Sequence, residues 1–483
     1  MRWLFVTRYV GIVTFFLGLT FVFPLAFAFF YKDGDANAFL ISMALTLFVG
    51  AAGFFLTRSV EKSDYIGQRE AMAIVALGWT AVALFSAFPF YLAGVFETFA
   101  DAFFESMSGF TTTGASVMTN IEAVPRGLLF WRSFIQWLGG MGIIVLSIAI
   151  LPLLGVGGYQ LYKTEVPSPM PDRLKPRIRD TAKILWKVYL AFTLLMAVLL
   201  MLGGMGFFDA ICHALTAMPT GGFSTKNLSA AHFDSAYIDM VIILFMIIAG
   251  LNFSLHYQMF MGKPLVYLKN PESRFFLATV LVLCAVVFFD IYGTVYHTIG
   301  DTVRYGTFQV VSIITTTGYA TADYNLWPSM SKMILFLCMF AGASAGSTAG
   351  GIKMMRIMCT LKYCYKEIFR LLHPHGVSHV KIGGKTVSDD IMGSILGFLV
   401  LYMGIFALST IVLAGMGVDF ITSMSAVAAA IGNIGPGLGA VGPVENYADI
   451  PYMGKWLLSW CMLLGRLEIY TVIIFLVPEF WRK

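Results

Sequence analysis

Ten long apolar runs recur along this chain, near residues 3–30, 38–57, 71–95, 128–155, 184–207, 236–261, 275–299, 330–360, 391–416 and 452–478. As a helix, each is long enough to cross a hydrocarbon core of about 30 Å. Of the 483 residues, 58% are hydrophobic and only 12% are charged, where a soluble domain carries roughly 25%. No water-soluble fold of this length could hide so much apolar surface, so the expectation is an all-α polytopic membrane protein. Arg2 and the Ala26-Phe27-Ala28 segment superficially suit a secretory leader. The run from Trp3 to Phe30 far exceeds a leader's apolar core of about 7–15 residues, and it reads as the first span.

An even number of spans places both termini on one side, and the basic residues choose that side. With the N-terminus inside, the inner loops and ends hold 24 of the 32 Lys and Arg residues, the outer segments hold 7, and Arg466 is left inside a span. An excess of Lys and Arg marks cytoplasmic loops, so both termini are expected in the cytoplasm. The six cysteines form no C-x-x-C pair and read neither as a disulfide framework nor as a metal site.

Four outer connections, after the runs ending near 95, 207, 299 and 416, begin with a short apolar stretch and end in glycine and hydroxyl residues. The first reads Asp101-AFFESMSGFTTTG-Ala115 and the second Asp209-AICHALTAMPTGG-Phe223; the third carries TTTGY around Gly318 and the fourth GNIGPG around Gly435. A period near 100 residues that brackets two spans implies an internally repeated span–loop–span unit, with the first two spans outside it. The implied division is 1–62 for the leading spans, then units at 63–160, 161–262, 263–370 and 371–483.

Non-helical backbone at membrane depth is tolerated only where protein buries it or where it lines a water-filled cavity. A short helix entering from outside, capped by Asp101 or Asp209, would aim its negative C-terminal end inward, where a cation is favoured. The returning Gly- and Thr-rich backbone can turn carbonyls towards an axis, and four such loops can replace an ion's hydration shell. Gly and Thr also suit ordinary extracellular turns. Four loops at equivalent positions favour the pore.

The segments SGFTTTGA (108–115), QWLGGMGIIVLSIAILPLLGVGG (136–158), PTGGFST (219–225), TTTGYAT (315–321), AGSTAGGIK (345–353), GNIGPGLG (432–439) and GRLE (465–468) resemble the Trk, Ktr and HKT potassium-transport superfamily. The likeness is greatest to membrane subunits of bacterial Trk systems and covers essentially the whole chain. It implies a gated, moderately selective potassium pore in the bacterial inner membrane, with K⁺ as the transported ion and no organic cofactor. By position, Gly114, Gly222, Gly318 and Gly435 would be filter glycines, and Thr112, Thr113, Thr220, Gly221, Thr316, Thr317, Asn433 and Ile434 would supply carbonyls. The resemblance further implies a homodimer and a cytosolic nucleotide-binding ring of TrkA type. Its expected contacts are the basic 163–187 and 362–390 loops, which also suit anionic lipid. Neither loop carries a nucleotide-binding motif, so nucleotide would sit on the partner.

The eleven small residues from Ala341 to Gly351 include Gly342, Gly346, Gly350 and Gly351, each costing a helix about 1 kcal/mol relative to Ala. The helix is expected to break there; close packing through small residues is the other reading. The resemblance implies an intramembrane loop that obstructs the pore. Arg466, a basic residue deep in a span, is functional by default and is expected to face the pore, with an ion pair to another helix as the alternative. Lys353 and Arg356 read as markers of the cytoplasmic boundary, and a metal site at His373, His375 and His379 is disfavoured by Pro374. No catalytic constellation stands out, so no enzyme is expected. An ion-coupled secondary transporter would call for inverted repeats and acidic residues within spans. Here the units share one topology, and Asp290 and Glu468 are the only obvious candidates.

Overall fold

A computed structural model describes residues 1–58, 67–149, 174–376 and 378–482. The boundaries expected at 62/63 and 160/161, the end of the fourth apolar run beyond 149, and the basic segment from 163 to 173 lie outside the described residues. The N-terminal elements are α1 (Trp3–Thr20), α2 (Val22–Tyr31) and α3 (Ala36–Leu56). α4 (Gln68–Leu92) leads into a short buried helix, α5 (Phe99–Phe110), and α6 (Arg126–Ala149) follows. The order long helix, short helix, long helix then recurs through α7 (Leu174–Leu202), α8 (Phe207–Ala217) and α9 (Ala236–Gly250), the last continued by α10 (Phe253–Phe260). After α11 (Val266–Lys269) come α12 (Pro271–Ile291), α13 (Ile299–Ile314), α14 (Ser329–Cys338) and α15 (Met354–Leu372). The chain closes with α16 (Asp389–Gly415), α17 (Phe420–Gly432), α18 (Tyr452–Arg466), α19 (Tyr470–Ile473) and α20 (Pro478–Trp481).

Six helices among the described residues are long and apolar enough to cross a membrane, or eight if two bent pairs count as single spans. The chain is therefore a multi-pass helical membrane protein. Two runs read as single spans are sharply bent, and a third breaks where its small residues predict. α9 and α10 meet at 103°, and α18 and the segment from Tyr470 to Leu476 meet at 116°. The run at 330–360 is interrupted between Cys338 and Met354. Local chemistry accounts for the first break: Asn252 accepts the N–H of Ser254 and so starts α10 afresh, as an N-cap does. The unit boundary expected at 370/371 falls inside α15. Within the basic 362–390 loop, Lys381–Ile382 and Lys385–Thr386 form an antiparallel hairpin that turns on Gly383 and Gly384.

α1 and α3 cross at a glycine contact, where a Cβ on Gly50 would run into the backbone of Phe15. This N-terminal hairpin is tied to the rest at both ends. Arg2 pairs with Glu70 at 2.6 Å, and the Asp33 carboxylate accepts the Arg126 N–H at the start of α6 (3.1 Å).

Candidate functional site

The four short helices α5, α8, α13 and α17 start in related ways. Thr98 caps α5 and Thr298 caps α13, each accepting the N–H of an aspartate three residues on and donating its hydroxyl to that carboxylate at 2.6 Å. Asp419 caps α17 by accepting the Thr422 N–H (3.0 Å), and Gly206 stands at the cap of α8. Asp101 and Asp209 were expected as caps. Both instead sit inside the first turn, where a carboxylate still meets the positive end of the helix dipole.

Each short helix ends in the same backbone turn. Thr112, Thr220, Thr316 and Asn433 all have φ between 52° and 57°, and two residues later Gly114, Gly222, Gly318 and Gly435 have φ between 73° and 106°. The N–H groups of Thr113, Gly221, Thr317 and Ile434 each reach back five residues, to the carbonyls of Ser108, Thr216, Ser312 and Ala429, at 2.8–2.9 Å. Asparagine tolerates left-handed torsions better than most residues, so Asn433 fills a position that threonine holds in the other loops.

The loops also touch in order. A Cβ on Gly114 would strike the carbonyl oxygen of Gly221, one on Gly222 that of Thr317, one on Gly318 that of Ile434, and one on Gly435 that of Thr113. The contacts run from the first loop to the second, third, fourth and back to the first. The structure thus brings together all twelve loop residues singled out from the sequence, and the carbonyls at this contact belong to Thr113, Gly221, Thr317 and Ile434.

Behind the loops lies a layer that sequence reasoning missed. Nine residues before Gly114, Gly222 and Gly318 stand Glu105, His213 and Gln309, and all three are fully buried. Glu105 accepts the Val117 N–H (2.9 Å) and the Ser116 hydroxyl (3.0 Å). A ring nitrogen of His213 meets the Ser224 hydroxyl (3.0 Å), and the Gln309 amide reaches Thr321 (3.3 Å). At the fourth loop, Ser425 exchanges hydrogen bonds of 2.9 Å with both backbone groups of Leu438. Arg132 of α6 pairs with Glu105 at 2.6 Å, donates to the Ser224 carbonyl (2.8 Å) and covers the Phe223 ring (3.6 Å). Aligning the loops on their glycines was the signal that could have found these positions.

Between α14 and α15, residues 339–353 form the irregular segment expected from the run of small residues. Its Gly350 N–H donates to the Thr316 hydroxyl (2.7 Å), directly against the third loop. Its Thr348 hydroxyl donates to the Met218 carbonyl (3.0 Å). The Glu272 carboxylate accepts the N–H groups of Ala345 (2.7 Å) and Met355 (3.0 Å), holding both limbs of the segment. Gly342 lies against the backbone of Gly350 and Gly351, and Gly346 (φ 75°) against the Asn252 side chain.

Arg466 is buried and donates to the Thr348 carbonyl (2.7 Å). Its Nε and Nη2 have no hydrogen-bond partner among the described residues, and no ion pair forms with it there. Glu468 pairs with Arg356, which also covers the Phe398 ring at 3.9 Å. Arg356 is buried in this ion pair, and the Lys353 ammonium turns back to the Ala349 and Gly350 carbonyls, because the broken helix leaves those carbonyls without helical partners. Glu468 and Ile469 both have positive φ, so α18 ends before the continuous helix expected through Glu468. Asp290, at the end of α12, accepts the Ser331 N–H (2.9 Å).

A multi-pass helical membrane protein with converging glycine-rich loops is the class that this fold and site define. The family model TrkH, described as a cation transport protein, matches residues 35–483, and the chain belongs to that family. It is 40% identical to the Trk system potassium uptake protein TrkH of Halomonas elongata over 99% of both chains. It is 36% identical to TrkG of Escherichia coli over 99% of this chain and 98% of that one. The crystal structure of the potassium transporter TrkH from Vibrio parahaemolyticus superposes with a TM-score of 0.92, at 37% identity and full coverage of both chains.

Proposed function

We propose that this chain is the potassium-conducting membrane subunit of a bacterial Trk-type uptake system. Four units, at 63–160, 161–262, 263–370 and 371–483, surround one pore with approximate fourfold symmetry. The observation that carries this reading is the closed order of contacts among Gly114, Gly222, Gly318 and Gly435, each against the preceding carbonyl of the next loop. Four loops that touch in a cycle enclose an axis, and backbone carbonyls at such a constriction replace water around an ion. The family membership and the names of the full-length relatives support potassium as that ion.

The 341–351 segment is the gate, held under the third loop by Thr316 and below by Arg466, whose buried charge raises the barrier to cations until the segment moves. Both termini lie in the cytoplasm of the bacterial inner membrane, on the Lys- and Arg-rich side. A cytosolic TrkA-type nucleotide-binding ring docks on the basic 163–187 and 362–390 loops, and the chain functions as a homodimer with one pore per protomer.

The test is K⁺ against Na⁺ flux in proteoliposomes containing this chain alone, at several imposed voltages. The expected result is voltage-driven flux that prefers potassium and needs no proton gradient. Saturable flux that depends on a proton or sodium gradient would overturn the pore in favour of a coupled transporter.

A further inference from the structure

The four loops differ in which side chains brace them from behind. In the first and third, the residue before the glycine is a threonine whose hydroxyl meets another threonine two residues earlier: Thr113 to Thr111 and Thr317 to Thr315, both at 2.8 Å. The second loop has Pro219 and Gly221 at those positions and no hydroxyl to offer. The space beside Gly221 is filled by another element. A Cβ on Gly221 would run into the amide of Gln136 from α6, and φ of Gly221 lies outside the left-handed region. Glycine is needed there for room, not for torsion.

Gln136 is fully buried. Its Nε2 donates to the Gly221 carbonyl (2.7 Å), and its Oε1 accepts the Phe223 N–H (3.2 Å). One amide therefore grips the backbone on both sides of Gly222. α6 comes this close because Gly139 and Gly140, three and four residues on, share its face. A Cβ on Gly139 would strike the Phe110 carbonyl, and one on Gly140 would strike Pro219. Among the four carbonyls at the loop contact, Gly221 alone accepts a side-chain amide among the described residues.

We propose that Gln136 is a selectivity-positioning residue, standing in for the threonine side chain that the second loop lacks and fixing the direction of the Gly221 carbonyl. This rests on the reading of the four loops as an ion filter. A buried amide replaced by an apolar side chain leaves the Gly221 carbonyl and the Phe223 N–H without their partners, so the loop relaxes and the fit to one ion size is lost while the pore stays open.

The experiment compares K⁺ and Na⁺ flux in proteoliposomes for wild type, Gln136→Leu, Gln136→Ala, Gly221→Thr and the combined variant Gln136→Ala/Pro219→Thr/Gly221→Thr. Gln136→Leu should lower the K⁺/Na⁺ ratio several-fold with total cation flux retained. Gly221→Thr alone should collide with Gln136 and lose flux, whereas the combined variant, which restores the hydroxyl pair of the first and third loops in the vacated space, should recover both flux and ratio towards wild type. An unchanged ratio in Gln136→Leu would overturn the proposal, as would a combined variant no better than Gly221→Thr. Should Gln136→Leu not fold, the recovery of flux and ratio in the combined variant decides it alone. A wild-type protein without potassium preference would overturn the filter reading itself, before any variant is compared.

Discussion

The left-handed backbone at Thr112, Thr220, Thr316 and Asn433 costs an L-residue roughly 1–2 kcal/mol, and the loops accept it because it lets the next two residues turn back sharply. Glycine completes the turn, and here its missing Cβ also lets the next loop's carbonyl approach. Gly318→Ala is therefore expected to abolish potassium preference or flux while leaving the protein in the membrane, as checked by proteoliposome flux beside a surface-expression assay; normal selectivity in that variant would contradict the loop contact. The Glu105–Arg132 pair makes a different forecast. Both side chains are at most 3% exposed, and removing one partner of a buried pair costs about 3–5 kcal/mol, while replacing both by apolar residues of similar volume is far milder. Arg132→Ala should lower the thermal stability of the detergent-solubilised protein more than Glu105→Leu combined with Arg132→Met, as measured by fluorescence-detected size exclusion after heating. The loop glycines were legible in the sequence because they recur at a fixed period beside Thr. Glu105, His213, Gln309 and Gln136 were not, because they are of three residue types, and only an alignment on the glycines puts the first three in register.

Among the elements, the long uninterrupted helices followed directly from hydropathy, which counts apolar residues. Hydropathy does not register bends. The 103° turn after Gly250 and the 116° turn after Arg466 leave the apolar runs intact, and only Asn252 and the Glu468-Ile469 torsions mark them. The interrupted run at 330–360 was legible, since four glycines in eleven residues cannot hold a helix against their entropy. What keeps that segment ordered is supplied by distant residues that no local pattern shows. Glu272 holds both of its limbs, so Glu272→Ala should raise amide hydrogen exchange specifically across residues 341–355, measured by mass spectrometry, with α16 unaffected. Uniform exchange across the protein would instead indicate general unfolding. Arg466 grips the same segment from the other side through the Thr348 carbonyl. Arg466→Ala removes both a restraint and a buried positive charge, and it should increase potassium flux and single-channel open probability in the absence of any partner. Unchanged conductance and open probability would refute the assigned role.

At the scale of the whole molecule, the cyclic loop contact is completed within one chain, and this fixes how activity should depend on assembly. A pore built at a subunit interface would need residues from two copies around one axis. Here Gly435 closes onto Thr113 of the same chain, so each protomer of a dimer carries a complete constriction. When wild-type subunits are co-expressed with subunits disabled by Gly318→Ala and the purified mixture is reconstituted, flux should fall linearly with the disabled fraction. A shared pore requires both copies intact, and its flux would fall with the square of the wild-type fraction, reaching about a quarter at equal mixing, where independent pores retain about a half by the same mass-action counting. Cross-linked dimers of one wild-type and one disabled subunit sharpen the comparison. Single-channel currents of unchanged size from half as many openings would match one pore per protomer, and complete silence would place the axis between subunits.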